Sequence, residues 1–265
     1  MALVLFFSFL SKVDSMMVAK AQRPHTQYFL DTAFVHDWER YLPLGIFYGI
    51  TTNPVLLEKA HIPHDITVLS SLAKSAIDDF KVEVFMLQTW GEAKSLLIEN
   101  GLRLQSISGK VVVKVPLTRE GIEAAAVLIE QGVRVCMTAC YAPHQVFTSV
   151  GLGAEYVAPY LGRISDGGTV TVFNLMRRSL NQSLLGRNGM EEVVQMQRVV
   201  EGLKSDTRVF VASIRNVQQL AELAAAGLHT FTFSPRIAEG LVHEPLSIAA
   251  ASDFEMAANP TLRSS

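Results

Sequence analysis

Lys114 lies inside Val111-Val112-Val113-Lys114-Val115-Pro116, an apolar, β-branched run that reads as a buried strand. An amine in such surroundings is stripped of water, and desolvation favours the neutral form of an amine. A neutral amine attacks carbonyl carbon, which is the chemistry of Schiff-base lysines. The competing reading is an edge strand whose lysine keeps its ammonium in water. Lys110, at the start of the same run, is read as solvent-facing.

Other apolar runs carry polar groups near their ends. These are Leu30-Asp31-Thr32, Thr51-Thr52-Asn53-Pro54, Val82-Glu83-Val84, Thr138, Ala158 with Tyr160 and Arg163, and Ser213-Ile214-Arg215. Alternation places Thr51 with Asn53, Ala158 with Tyr160, and Ser213 with Arg215 on common faces. A carboxylate beside an amine suits proton transfer, and paired arginines suit a phosphate. Each residue also has a plainer reading. Asp31 can be a helix N-cap, Thr51-Thr52-Asn53-Pro54 a turn, Glu83 and the arginines surface ion pairs, and Tyr160 a core aromatic. His61 and His64 flank Ile62-Pro63 without further ligands nearby, so no metal site is expected.

These residues need elements to hold them. Eight strand-like segments recur: Gln27–Phe34, Gly45–Asn53, Lys81–Gln88, Lys110–Leu117, Arg134–Tyr141, Tyr156–Ile164, Thr207–Ile214 and His229–Pro235. Several are continuously apolar, as strands covered on both faces of a parallel sheet are. Helical patterns lie between them. Glu120–Gln131 follows an N-cap at Thr118 and stops at Gly132; Asn216–Ala226 stops at Gly227. Eight strands alternating with helices predict an α/β fold, a single-domain (β/α)8 TIM barrel. No GxGxxG follows any strand, which speaks against a dinucleotide-binding sheet. The interval from Ile164 to Thr207 is read as an enlarged loop with a helix or two. Residues 27–258 are assigned to the barrel, 1–26 to an N-terminal appendage and 259–265 to a C-terminal tail.

Composition narrows the function classes. The 265 residues carry 23 Lys+Arg against 25 Asp+Glu, a formal charge of −2, which leaves no electrostatic footprint for nucleic acid. With 49% hydrophobic and 18% charged residues, the chain can fill a large core. No charge-free run reaches the ~20 residues a membrane span requires. Met1–Leu10 is apolar but lacks a basic leader and a small-x-small cleavage site, so a cytoplasmic enzyme is expected, a plastid or other organelle being the alternative. Cys136 and Cys140, four residues apart on one strand, are too distant for a disulfide and read as inert core residues.

The ordered set of motifs resembles the small-subunit transaldolase family, which includes the fructose-6-phosphate aldolases. It spans Tyr28 to Ala257: Leu30-Asp31-Thr32, Gly49-Ile50-Thr51-Thr52-Asn53-Pro54, Val112-Val113-Lys114-Val115-Pro116, Gly153-Ala154-Glu155-Tyr156-Val157-Ala158-Pro159-Tyr160 with Gly162-Arg163, and Ala212-Ser213-Ile214-Arg215. The resemblance implies a (β/α)8 barrel that needs no metal or organic cofactor. Lys114 would attack the C2 ketone of a sugar phosphate, and Asp31 would take the C4 hydroxyl proton. Glu83 and Thr138 would hold a proton-shuttling water. Thr51 and Asn53 would orient the dihydroxyacetone unit, while Arg163, Ser213 and Arg215 would bind phosphate. Family members also tend to form rings through a C-terminal helix, which implies a homo-oligomer.

Within the family, Ala158 and Tyr160 resemble the aldolases, since transaldolases usually carry Ser and Phe there. Glu83 resembles the transaldolases, whose aldolase relatives tend to carry Gln. The expectation is therefore an aldolase acting on fructose 6-phosphate, with dihydroxyacetone transfer in the pentose phosphate pathway as the alternative. A catalytically silent sugar-phosphate-binding barrel is the alternative from another class.

Overall fold

A lysine midway along an apolar strand stays dry when its sheet is covered on both faces, and a sheet closed on itself does this without leaving an edge. The computed structural model describes residues 26–166 and 188–259, and in it eight parallel strands close into one barrel. In chain order they are β1 (Gln27–Asp31), β2 (Phe47–Thr51), β3 (Val84–Gln88), β4 (Val111–Pro116), β5 (Val135–Cys140), β6 (Tyr156–Pro159), β7 (Arg208–Val211) and β8 (Thr230–Phe233). Each pairs with the next, and β1 pairs with β8 to close the ring. The chain is thus a (β/α)8 barrel, and β4 is an interior stave of a closed sheet rather than an edge.

The helices wrap this ring. They are α1 (Val35–Tyr41), α2 (Pro54–Lys59), α3 (Ile66–Lys74), α4 (Lys94–Gln105), α5 (Arg119–Glu130), α6 (Pro143–Leu152), α7 (Leu161–Ser165), α8 (Gly189–Gly202), α9 (Val217–Ala225), α10 (Pro235–Val242) and α11 (Pro245–Ala258). Local chemistry sets their ends. The Thr118 hydroxyl accepts from the Gly121 amide at 3.1 Å, and Gly132 ends that helical run with φ +79°. Asn216 is the N-cap of α9 rather than its first residue, its side chain accepting from the Gln219 amide at 3.0 Å.

All eight expected strands form, each somewhat shorter than its apolar run. The largest difference is at Tyr156–Ile164. There β6 ends at Pro159 and the chain turns into α7, with the Ile164 amide bonded to the Tyr160 carbonyl. Arg163 therefore projects from a helical turn. The expected segment between Ile164 and Thr207 contains α8, while residues 167–187 lie outside the described residues, as do 1–25 and 260–265.

One layer of core lies between strands and helices, and a second fills the barrel. Phe29, Val84, Met86, Val112, Cys136, Tyr156 and Phe210 meet inside it. Gly49 makes room: a Cβ there would come within 2.3 Å of the Val84 carbonyl and 2.7 Å of the Phe29 ring. Cys136 and Cys140 are both unpaired and buried, and burial pushes each thiol up to about 12, leaving them inert. Among the described residues, no helix is long and apolar enough to cross a membrane.

Helix α11 stands apart. None of its residues is buried, and it exposes Leu246, Ile248, Phe254 and Met256, with Leu246 79% exposed. Fourteen residues are marginal as an isolated helix in water, so this one needs a surface to pack on.

Candidate active site

Parity along the strands decides which side chains enter the barrel. On β4, Val112 and Lys114 face inward while Val111, Val113 and Val115 pack against the helices. Lys114 is only 5% exposed, and its Nζ donates to the Thr52 carbonyl at 2.9 Å. It lies at the floor of a cavity of about 670 Å³ at the C-terminal ends of the strands. Active sites of this fold sit at that end.

Asp31 closes β1 and faces the same cavity. The register Asp31↔Thr51 places the Thr51 hydroxyl beside it, and that hydroxyl donates to Asp31 Oδ1 at 2.7 Å. Burial raises the Asp31 pKa above the ordinary carboxylate range, opposed by the positive charge of Lys114 and the Thr51 hydrogen bond. Asp31 is thus not a helix cap; α1 begins after Phe34 without any side-chain cap.

The Thr52-Asn53-Pro54 run is a strand-to-helix turn that also builds the site. Asn53 Oδ1 caps α2 through the Leu56 amide at 3.0 Å, and Pro54 occupies the first helical position. Asn53 lines the cavity, so its capping bond fixes it there. Lys59, at the end of α2, lines the same cavity, and neither it nor Gln88 stands out from the sequence motifs.

Glu83 requires a correction. It lies just before β3, at the N-terminal end of the barrel, with its side chain 59% exposed and 3.5 Å from Lys110 Nζ. Its parity is also wrong, because Val84, Met86 and Gln88 face inward. Gln88, at the C-terminal end of β3, is the residue that lines the cavity, in register with Lys114. The sequence does carry a signal for it: two-residue alternation from Val84 leads to Gln88 at the chemically competent end.

Across the cavity, the Thr138 and Tyr160 hydroxyls lie 2.8 Å apart. Tyr160 is pinned by an isolated bridge to Ala212 and packs edge-on against Tyr141 at 5.6 Å between centroids. The Arg163 guanidinium stacks 5.1 Å from the Tyr160 ring centroid, an arrangement that orients the cation. Ala158 lines the wall below.

Ser213 and Arg215 complete the rim. The Arg215 side chain passes over Gly162, where a Cβ would come within 2.3 Å of its Nε and 2.5 Å of the Ser213 carbonyl. Gly162 is thus what lets α7 approach the segment after β7. Arg215 Nη2 donates to Asp166 Oδ2 at 2.6 Å, a pair about half exposed on both sides. Ser213 at φ +62° and Ala139 at φ +58° both hold left-handed backbone at the cavity. Such strain in non-glycine residues clusters at functional sites.

The arrangement can therefore form an imine on a buried lysine, move a proton through a carboxylate and two hydroxyls, and hold an anion between two arginines. A family model described as transaldolase/fructose-6-phosphate aldolase matches residues 28–264. A probable transaldolase of Anaeromyxobacter sp. (strain Fw109-5) is 30% identical over 228 residues, 86% of this chain and 95% of that one. One from Geobacillus sp. (strain WCH70) is 29% identical over 223 residues, 83% and 92% of the two chains. One from Nitrosopumilus maritimus is 28% identical over 228 residues, 85% and 91% of the two. The solved structure of a thiamine phosphate pyrophosphorylase from Pyrococcus furiosus superposes with a TM-score of 0.54 at 12% identity, covering 83% of this chain and 95% of that one. That last likeness bears on the fold alone. With the family model matching nearly the whole barrel, the chain belongs to the transaldolase/fructose-6-phosphate aldolase family.

Proposed function

We propose that the protein is a Schiff-base aldolase that cleaves and forms fructose 6-phosphate through a dihydroxyacetone enamine on Lys114. The observation that carries this reading is a 5%-exposed lysine at the floor of a cavity whose rim holds Arg163 and Arg215. Lys114 Nζ adds to the C2 ketone, and loss of water leaves an iminium. Asp31 accepts the C4 hydroxyl proton as the C3–C4 bond breaks, and the bonding pair passes into the iminium to give the enamine. Glyceraldehyde 3-phosphate departs; protonation and hydrolysis of the enamine then release dihydroxyacetone. The Thr138–Tyr160 hydroxyl pair and Gln88 would hold the water used in these proton transfers. Asn53 and Thr51 would orient the dihydroxyacetone unit, with Arg163, Ser213 and Arg215 on the phosphate. Each step draws on protein side chains and water, and the reading gives the enzyme a cytoplasmic place in sugar-phosphate metabolism.

Gln88 strengthens the aldolase side. With Glu83 outside the cavity, the site carries Gln88, Ala158 and Tyr160, all three in the pattern that resembles aldolases. The second reading is transfer of dihydroxyacetone to an aldose phosphate, favoured by the names of the relatives above. An assay for free dihydroxyacetone, with and without erythrose 4-phosphate, separates the two. Release without acceptor supports the aldolase; product only with acceptor supports transfer. Tyr160→Phe should lower free dihydroxyacetone release by about 10-fold or more while transfer persists, because the hydroxyl serves enamine protonation. Equal loss of both activities would refute that role.

The exposed apolar side chains Leu246, Ile248, Phe254 and Met256, spread around α11, suit the expected homo-oligomer, with α11 packing on a neighbouring copy. Removing residues 245–265 should convert the oligomer to a monomer in sedimentation velocity. A full-length chain that sediments as a monomer would overturn this assignment.

A further inference from the structure

We propose that Thr232 is a positioning residue for Asp31, the outer end of an ordered hydroxyl chain, Thr232 to Thr51 to Asp31. The inference rests on reading Asp31 as the base of carbon–carbon cleavage. Thr232 is not among the residues marked by the sequence motifs, although it lines the cavity from β8.

The direction of the chain follows from counting protons. Thr51 has one hydroxyl hydrogen, and it is donated to Asp31 Oδ1 at 2.7 Å. The Thr51 and Thr232 oxygens lie 2.6 Å apart, too close for anything but a hydrogen bond. With an ionised Asp31 that bond must use the Thr232 hydrogen, because Thr51 has none left. Thr51 is fully buried and Thr232 only 3% exposed, so the pair is sheltered from bulk water. β1 lies between β2 and β8 in the ring, which explains how hydroxyls from both neighbours converge beside its terminal carboxylate.

Two consequences follow. A hydroxyl that accepts a hydrogen bond is a stronger donor, so Thr232 reinforces the bond from Thr51 to the carboxylate. The chain also engages Oδ1 alone, leaving Oδ2 without a hydrogen-bond partner among the described residues and available to take the substrate proton. Lys114 on β4 is the charged group acting on Asp31, while Tyr160, Arg163, Arg215 and Lys59 line the same cavity. Burial sets Asp31 toward protonation, and the hydroxyl chain opposes it.

Thr232→Val exchanges the hydroxyl for a methyl of similar volume. In the variant, kcat for fructose 6-phosphate cleavage at neutral pH should fall about 3- to 10-fold. The acid limb of its pH profile should move up by about half to one pH unit. KM should stay unchanged, and Thr232→Ser should restore the parent profile. Borohydride trapping of dihydroxyacetone on Lys114 should persist, showing that the variant folds; Thr232→Ala provides the same comparison if valine is not accommodated. An unmoved acid limb, or a raised KM with kcat preserved, would overturn the proposal. Asp31→Asn separates the two layers. If it retains cleavage, the reading of Asp31 as base fails; if it is inactive while Thr232→Val is unshifted, only the positioning role fails.

Discussion

Lys114→Met should abolish covalent trapping of substrate and lower turnover on the order of 10⁴-fold or more. Among the described residues there is no second amine at the cavity floor: the next lysine on the cavity wall is Lys59, at the solvent-exposed end of α2. Methionine keeps the length and apolar contacts of the lysine stem, so the barrel interior stays filled. What it removes is the donor to the Thr52 carbonyl and the nucleophile itself. The direct measurement is mass spectrometry after incubation with fructose 6-phosphate and borohydride. The parent should show a stable adduct on the peptide containing Lys114, and the variant none. An adduct elsewhere, or full activity in the variant, would sink the Schiff-base reading. A variant that still binds inorganic phosphate while the parent shows neither adduct nor turnover would instead point to a silent sugar-phosphate-binding barrel.

Asp31→Asn should lower cleavage by about 10²- to 10⁴-fold, the usual reach of a positioned general base. It should leave imine formation with dihydroxyacetone measurable, because that step does not draw on the C4 hydroxyl. Stability should move the other way. Burial raises the folded-state pKa of Asp31, so the ionised carboxylate opposes folding at pH values above both its folded and unfolded pKa. Asparagine removes that cost and can still accept from Thr51. The variant should therefore be at least as stable as the parent near neutral pH, with the difference closing as pH falls below the raised value. A variant less stable than the parent at neutral pH would contradict this account. The same raised pKa predicts that cleavage by the parent fades on acidification earlier than an ordinary carboxylate would dictate, because the base must be ionised to act.

Both predictions concern residues that the amino-acid sequence alone makes conspicuous. Apolar β-branched runs broken at regular intervals mark eight strands, and all eight form. Lys114 stands out because an amine inside such a run conflicts with its surroundings. Asp31, Asn53, Tyr160, Arg163, Ser213 and Arg215 stand out because polar groups at strand ends are the parts this fold uses for chemistry. All of them line one cavity.

Glu83 marks the limit of sequence reasoning. A carboxylate inside the expected strand Lys81–Gln88 draws attention away from a neutral amide five residues later, because charge is conspicuous and parity is not. The strand begins only at Val84, and its inward face runs Val84, Met86, Gln88. A one-residue error in parity moves a side chain from the interior to the helix side. A strand's start also decides which end of the barrel a residue reaches, and local propensity defines such boundaries poorly.

Strand and helix periodicity, the lysine and the polar groups that accompany it are legible residue by residue, because they are properties of short stretches of chain. The closing of β1 onto β8, the pairing of Gln88 rather than Glu83 with Lys114, and the place of Thr232 behind Thr51 and Asp31 emerge only in the folded barrel. Those facts are distances between residues far apart in the chain. Ring closure and register set them, and no local pattern encodes either.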